Sequence, residues 1–405
     1  MEYMNRHIDV IVKNSIATFP SILITGPRQV GKTTLLKHVA PTYHYITLDD
    51  VLLASLAEQD ASLFFKSNPL PLIIDEIQYV PNLMRQVKII VDNEVKRGQI
   101  LMTGSQPFHL MQNVSESLAG RIDIFHLQGL SLREKFAIDF RQAFVVTESY
   151  IEQRRQQLVQ YENLWEHIHR GGMPALVDKQ ISWSRYYESY IQTYIERDVK
   201  QLTEISNQNL FTRFMVSLAA RTGQLLNYTS IANDIGVSVE TIKRWVSILE
   251  ASGIIFLLEP YANNILQRVI KTPKLYFFDT ALVSYLTRWL TPETLENGRV
   301  SGEIFETFVV SEIYKSYLNA GITRPPLYYY RDRDQKEIDL IIEKDGTLIP
   351  IEITKSATPT KQMAKNFTVL DKVTSHKIGL GAIICQCNQL LYLDENLVAL
   401  PLEYV

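Results

Sequence analysis

Cysteine is almost missing from this 405-residue chain: only Cys385 and Cys387 occur, as a C-x-C pair near the end. Two neighbouring thiols without further partners make neither a disulfide framework nor a zinc site, and they read as strand residues. Long apolar runs are missing too. The longest are short ones such as Gly253 to Leu258, far below the roughly 20 residues a membrane-spanning helix needs. Met1 to Pro20 mixes Glu2, Arg6, Asp9 and Lys13 among its apolar residues and so lacks the apolar core of a secretory leader. These absences predict a cytoplasmic protein with no membrane partner. There is also no excess of one charge: a formal net charge of -3 excludes a global basic field, so any nucleic-acid site is a local patch. What remains is the composition of a soluble globular protein, 46% hydrophobic and 21% charged, too long for one ordinary core and expected to form two or three domains.

The chain is organised around residues 20 to 34. The apolar, β-branched run Ile22 to Thr25 breaks into a loop bounded by Gly26 and Gly31, then enters a helical stretch at Lys32-Thr33-Thr34. G-x-x-x-x-G-K-T between a strand and a helix is a P-loop. Gly26 and Gly31 let the backbone curl so that successive N–H groups of Gly26, Pro27 (which itself lacks one), Arg28, Gln29, Val30, Gly31, Lys32, Thr33 and Thr34 surround one centre, and the helix end adds positive potential for a polyphosphate. Lys32 is expected on the β- and γ-phosphates of ATP and Thr33 on Mg²⁺.

Further strands are expected at Tyr43 to Leu48, Leu70 to Ile74, Gln99 to Thr103 and Ile122 to Leu127, with helices near 32–39, 50–66, 82–97 and 107–118 between them. Such alternation predicts a parallel sheet covered on both faces. The third strand ends in Asp75-Glu76, at the carboxyl edge where open α/β sheets place their ligands. In the same sheet as a P-loop this is a Walker B pair: Asp75 acts on the Mg²⁺ shell, and Glu76 orients or activates the attacking water. The fourth strand ends Thr103-Gly104-Ser105-Gln106, where Ser105 or Gln106 can sense the γ-phosphate or position water; Ser105 is equally suited to cap the next helix. Arg121, just before the fifth strand, is either a transition-state arginine for a neighbouring subunit, which requires a homo-oligomer, or a surface ion-pair residue.

The stretches GPRQVGKTTLL, LIIDEIQ, LMTGSQ and SLAGRIDIFHLQGLSLRE together resemble the prokaryotic AAA+ ATPases that carry a C-terminal restriction-endonuclease-like domain. The resemblance continues through Arg170 to Pro174, Tyr190 to Val199, Gly302 to Glu312 and Glu337 to Ser356, and so covers nearly the whole chain. It implies four units: an ATPase core over 1–140, a helical lid over 141–204, a winged helix over 205–290 and a nuclease-like α/β domain over 291–405. In the lid, Arg197 is a candidate contact to nucleotide, or a residue paired on a solvated helix.

Between 207 and 260 the residues themselves read as a winged helix: Thr229 to Gly236 as one short helix, Val237-Ser238 as a turn, Val239 to Ser252 as a second helix, then wing strands at Ile255 to Pro260 and Lys274 to Phe278. Thr241, Lys243 and Arg244, with Arg268, Lys271 and Lys274 near the wing, suit contacts to double-stranded DNA. Asp234, Glu240 and Glu250 argue the other way, and winged helices also dock proteins.

The last unit opens with a helix from Gly302 to Tyr317 whose apolar face includes Phe305, Phe308, Val309 and Ile313, with Glu306 at its edge. Strands follow at Leu327 to Arg331, Glu337 to Glu343 and Thr347 to Thr354. The Asp345-Gly346 hairpin signal sets a register that puts Asp339 opposite Glu352. Two carboxylates facing across a ladder need neutralising, and a divalent metal would do so. In the nuclease-like fold that the resemblance implies, Asp339, Glu352 and Glu306 match the metal ligands, but Thr354 stands where a lysine is expected and Lys355 lies one further on, on the opposite face unless a bulge brings it round. A metal-free fold is the alternative.

Overall fold

The computed structural model describes residues 3–93, 96–105, 118–194, 208–261, 272–373 and 375–405. Gln106, Arg197, Arg268 and Lys271 lie outside these, as does most of the helix expected over 107–118.

The first unit is built on five parallel strands, β1 (Ser21–Thr25), β2 (His44–Thr47), β3 (Leu72–Asp75), β4 (Ile100–Gly104) and β5 (Ile122–His126), in the order β2-β3-β4-β1-β5. Successive strand residues face opposite sides of a sheet. Ile22, Ile24, Ile73 and Leu101 accordingly join one apolar cluster while Leu23, Leu72, Ile74, Ile100 and Met102 join another. Helices α1 (Asp9–Thr18) and α2 (Lys32–Val39) cover the first face; α3 (Val51–Gln59), α4 (Ala61–Ser67) and α5 (Leu83–Asn93) cover the second. The single helix expected over 50–66 is two, because Asp60 breaks it and its carboxylate caps the second, accepting from Leu63 N at 2.8 Å.

Helices α6 (Leu132–Lys135), α7 (Glu148–Arg155), α8 (Leu164–Arg170) and α9 (Trp183–Tyr194) follow. Next come α10 (Gln208–Ala219), β6 (Gln224–Leu225), α11 (Tyr228–Ile235), α12 (Val239–Ala251), β7 (Ile255–Leu258) and β8 (Lys274–Phe277), the strands forming an antiparallel sheet in the order β6-β8-β7. Gly236, at φ +82°, closes α11, and Ser238 opens α12 by accepting from Thr241 N at 3.1 Å.

Helix α13 (Thr280–Leu286) follows, and the last unit contains α14 (Pro292–Glu296), α15 (Ser301–Asn319) and strands β9 (Leu327–Arg331), β10 (Glu337–Lys344), β11 (Thr347–Ile353), β12 (Lys377–Ile378), β13 (Gly381–Cys385), β14 (Leu391–Asp394) and β15 (Leu397–Pro401). They form a mixed sheet, β14-β15-β13-β11-β10-β9, with β12 beside β11. The turn between β10 and β11 has Asp345 and Gly346 both at positive φ, and the ladder runs from Lys344 opposite Thr347 to Leu340 opposite Ile351, the register the sequence implies. Cys385 lies in β13, and both thiols are buried.

One apolar cluster runs from Ile8 in α1 through the middle helices to Val405, so the units share a core. At their junction Glu312 accepts from Leu132 N at 2.7 Å, Arg133 donates to the Val405 carbonyl at 2.7 Å, and Tyr150 donates to the Tyr404 carbonyl at 3.0 Å. No described helix is long and apolar enough to cross a membrane.

Candidate active site

The loop from Gly26 to Gly31 leaves the carboxyl end of β1 and feeds α2. Gly26 has φ +136°, and a Cβ there would lie 2.0 Å from the Leu127 carbonyl oxygen; Gly31, at φ +93°, begins the helix. Only glycine adopts these conformations in that space without strain. Val30 is buried and anchors the loop, while Gln29 and Thr34 are exposed and Arg28 is half-buried. Lys32 is buried, and its ammonium donates to the carbonyls of Gly26 (3.0 Å) and Pro27 (2.7 Å), across the mouth of the loop.

Behind the loop stands a residue that spacing did not reveal. Arg6 donates to the Val30 carbonyl at 2.9 Å, to the Gln128 carbonyl at 2.7 Å and to Glu134 at 3.0 Å. Burial alone would raise the Glu134 pKa, but Arg6, then His7 and the backbone N–H groups of Ser131 and His7, hold it down to about 2. The pair is a charged brace between the loop and α6.

Asp75, at the end of β3, gathers three hydroxyls. Thr33 Oγ1 donates to Asp75 Oδ1 at 2.8 Å, Tyr45 donates to Oδ2 at 3.0 Å, and Thr103 also donates to Oδ1. Burial first, then the Asp75 charge, push the Tyr45 hydroxyl up to about 12, so it stays a donor. The Thr33–Asp75 contact unites the P-loop with the end of β3. Hydroxyl and carboxylate oxygens are the donor set that Mg²⁺ takes, and Thr33 and Asp75 are the residues that would hold it; the ion would supply charge neutralisation on the phosphates.

Glu76 stands just beyond, in the left-handed region at φ 57°, a conformation costing a non-glycine residue about 1 kcal/mol. Its carboxylate accepts from the Gln78 amide and, at 3.3 Å, from Ser105 Oγ at the end of β4. Tyr45 and Gln78 were not singled out from the sequence; Thr103 was placed at the end of the fourth strand without a role of its own. Tyr45 is brought to Asp75 by the pairing of β2 with β3, which spacing does not reveal. Arg121 is elsewhere: it precedes β5 beside Ser21, at the amino edge of the sheet, and pairs with Asp92 on the surface. A five-residue strand spans about 17 Å, which puts Arg121 out of reach of its own P-loop.

A second cluster of charge lies between β8, α15 and β10. The Lys274 ammonium contacts Glu306 at 3.1 Å, Glu337, and Asp339 at 4.0 Å, and Tyr276 donates to Glu306 at 2.5 Å. Burial, then the charge of Asp339, push Glu306 up to about 7, and burial with Asp339 pushes Glu352 up to about 10. Burial would lower the Lys274 pKa, but the acids outweigh it and raise it. The like charges of Asp339 and Glu352 are thus relieved by a lysine and a retained proton. Among the described residues no group of three or more His, Cys, Asp or Glu side chains is disposed to hold a metal ion. Lys355 does not turn back to the acids; it donates to Ser301 Oγ at 2.6 Å and to the Glu296 carbonyl. Lys274, expected to add charge for DNA, is 3% exposed and faces inward, because the acids opposite outbid solvent for its ammonium. Lys243 and Arg244 on α12 are exposed.

Family comparisons divide the chain in three. Residues 18–136 match a family described as an AAA domain, and residues 161–293 and 301–405 each match a domain of unknown function. Uncharacterized proteins of Mycobacterium tuberculosis and Mycobacterium bovis are each 28% identical over 400 residues, covering 97% of this chain and 82% of theirs. Among solved structures, a Walker-type ATPase of Pyrococcus abyssi aligns at 15% identity over 70% of this chain and 96% of its own, with a TM-score of 0.41. The crevice of Lys32, Thr33, Asp75 and Glu76 falls inside the stretch that matches the AAA domain, which supports an ATPase domain in the N-terminal part of the chain.

Proposed function

We propose that this chain binds and hydrolyses ATP with Mg²⁺ and uses the cycle to switch the grip of a winged helix, read over 205–290, on double-stranded DNA. The observation that carries the coupling is at Gly253, just past α12: a Cβ there would lie 3.0 Å from Pro27 Cδ of the P-loop and 2.8 Å from the Gln128 amide. The end of the helix that presents Lys243 and Arg244 therefore rests on the nucleotide loop, and a shift of one moves the other.

In this reading Gly26 to Thr34 cradle the phosphates, Lys32 neutralises them, and Thr33 and Asp75 take the Mg²⁺. Glu76 accepts the proton of the attacking water, Ser105 or Gln106 senses the γ-phosphate, and Arg197 approaches from the lid. Arg121 acts only on a neighbouring copy in a homo-oligomer. The 291–405 unit is read as a restriction-endonuclease-like fold whose acidic cluster of Glu306, Asp339 and Glu352 is neutralised by Lys274, which ranks DNA binding above metal-dependent cleavage.

The test is ATP turnover with and without duplex DNA, with Glu76→Gln as control. Stimulation by DNA that vanishes in the control supports the proposal. Turnover indifferent to DNA, with no DNA binding at low salt, overturns the DNA part and favours a nucleotide-controlled protein-binding switch. The shared core that joins all units already suits such a switch.

A further inference from the structure

Gln78 sits two residues past Glu76, in the short turn Ile77–Tyr79, and is buried. Its amide nitrogen donates to Glu76 Oε2 and, at 3.1 Å, to Ser105 Oγ, which donates to the same Glu76 oxygen. The Gln78 carbonyl oxygen, by contrast, is buried with no hydrogen-bond partner among the described residues. A buried acceptor left unpaired destabilises a fold, and a methionine of similar volume would fill the space without it. Turning the amide over gives no relief, since the carbonyl would then meet the carboxylate. Packing does not account for a glutamine at this position; the clamp on Glu76 does. Residues that weaken a fold in this way concentrate at functional sites.

Resting on the ATPase reading of this site, we propose that Gln78 is a positioning residue for hydrolysis. Its amide, together with Ser105, holds the Glu76 carboxylate in the orientation from which it receives a proton of the attacking water. In that step the water oxygen bonds to the γ-phosphorus as the bond to the bridging oxygen breaks. The electron pair leaves with ADP, and the proton passes to Glu76. Glu76 also sits on a left-handed backbone that side chains rarely adopt, a strain of the kind that clusters at functional sites.

The test uses the full chain and reads kcat, KM, the affinity for a fluorescent ATP analogue and Tm. Gln78→Met is expected to lower kcat about 100-fold, the effect of misplacing a reacting group by about an ångström. Its ATP affinity and KM should stay within about twofold of wild type, the signature of an interaction made in the transition state. Its Tm should match or exceed wild type, because the unpaired acceptor is gone. Gln78→Glu, of the same shape but with an acceptor facing the carboxylate, should lose both kcat and Tm. Wild-type or higher kcat in Gln78→Met overturns the inference, as does a parallel loss of ATP affinity and Tm, which would mark a merely structural residue. Wild-type protein without Glu76-dependent turnover overturns the ATPase reading and this inference with it. Glu76-dependent turnover that Gln78→Met leaves intact overturns this inference alone.

Discussion

Arg6 and Glu134 meet in a buried pair across 128 positions of sequence, and the P-loop is braced on them. Glu134 is held at about 2 in the fold against about 4.5 unfolded, so its contribution is fully present above pH 4.5 and lost as pH falls towards 2. The shift corresponds to about 3 kcal/mol. Glu134→Gln should therefore flatten the decline of Tm between pH 5 and pH 2; an unchanged acid limb would show that the pair is not an ionic brace. Arg6→Ala leaves Glu134 charged and buried, at a cost of about 3–5 kcal/mol. At the nucleotide end, Lys32→Ala removes the ammonium and should abolish tight ATP binding in a titration; unchanged affinity would sink the P-loop assignment. The P-loop and Walker residues were legible because a phosphate cradle dictates residue types at fixed local spacing. Arg6 and Tyr45 were not, since each serves the site from a different strand or helix and carries no spacing of its own.

At the scale of elements, the hairpin of β10 and β11 was readable to the register, because a two-residue turn with positive φ at Asp345 and Gly346 leaves no other pairing. What relieves the acids on it was not readable. Lys274 arrives from β8, which pairs with β7 in a different sheet, and the packing of α15 together with the backbone bridge from Pro260 to Tyr329 of β9 brings it to Glu306 and Asp339. Lys274→Met should destabilise the protein by about 3–5 kcal/mol, since it strands several carboxylates in one partly buried cluster. Adding Glu337→Gln should restore part of that loss, measured as a coupling in a double-mutant cycle. Additive effects would mean that the lysine does not act through the cluster. A related lesson is at Asp60: the helical pattern over 50–66 is continuous in composition, yet one carboxylate that caps the following turn divides it.

For the whole molecule, the shared core from Ile8 to Val405 and the hydrogen bonds of Arg133 and Tyr150 to the last residues predict one cooperative unfolding transition in calorimetry. Two resolved transitions would show that the units are independent. Truncation after residue 300 should leave no soluble folded core, because it exposes the face of Phe144, Tyr150 and Trp165 that packs in that cluster. The sequence by itself determined the parallel five-stranded sheet, the P-loop, the Asp75-Glu76 pair, the paired helices over 228–251 and the hairpin register. Each follows from local periodicity, glycine backbone freedom or a turn signal. The tertiary structure alone decided that α12 ends against the P-loop, that Gln78 and Ser105 clamp Glu76, that Arg121 pairs with Asp92 and that Lys274 turns inward. These depend on contacts between groups distant in sequence or on side-chain direction. Burial and charge balance across several elements set them, and no single stretch encodes that balance.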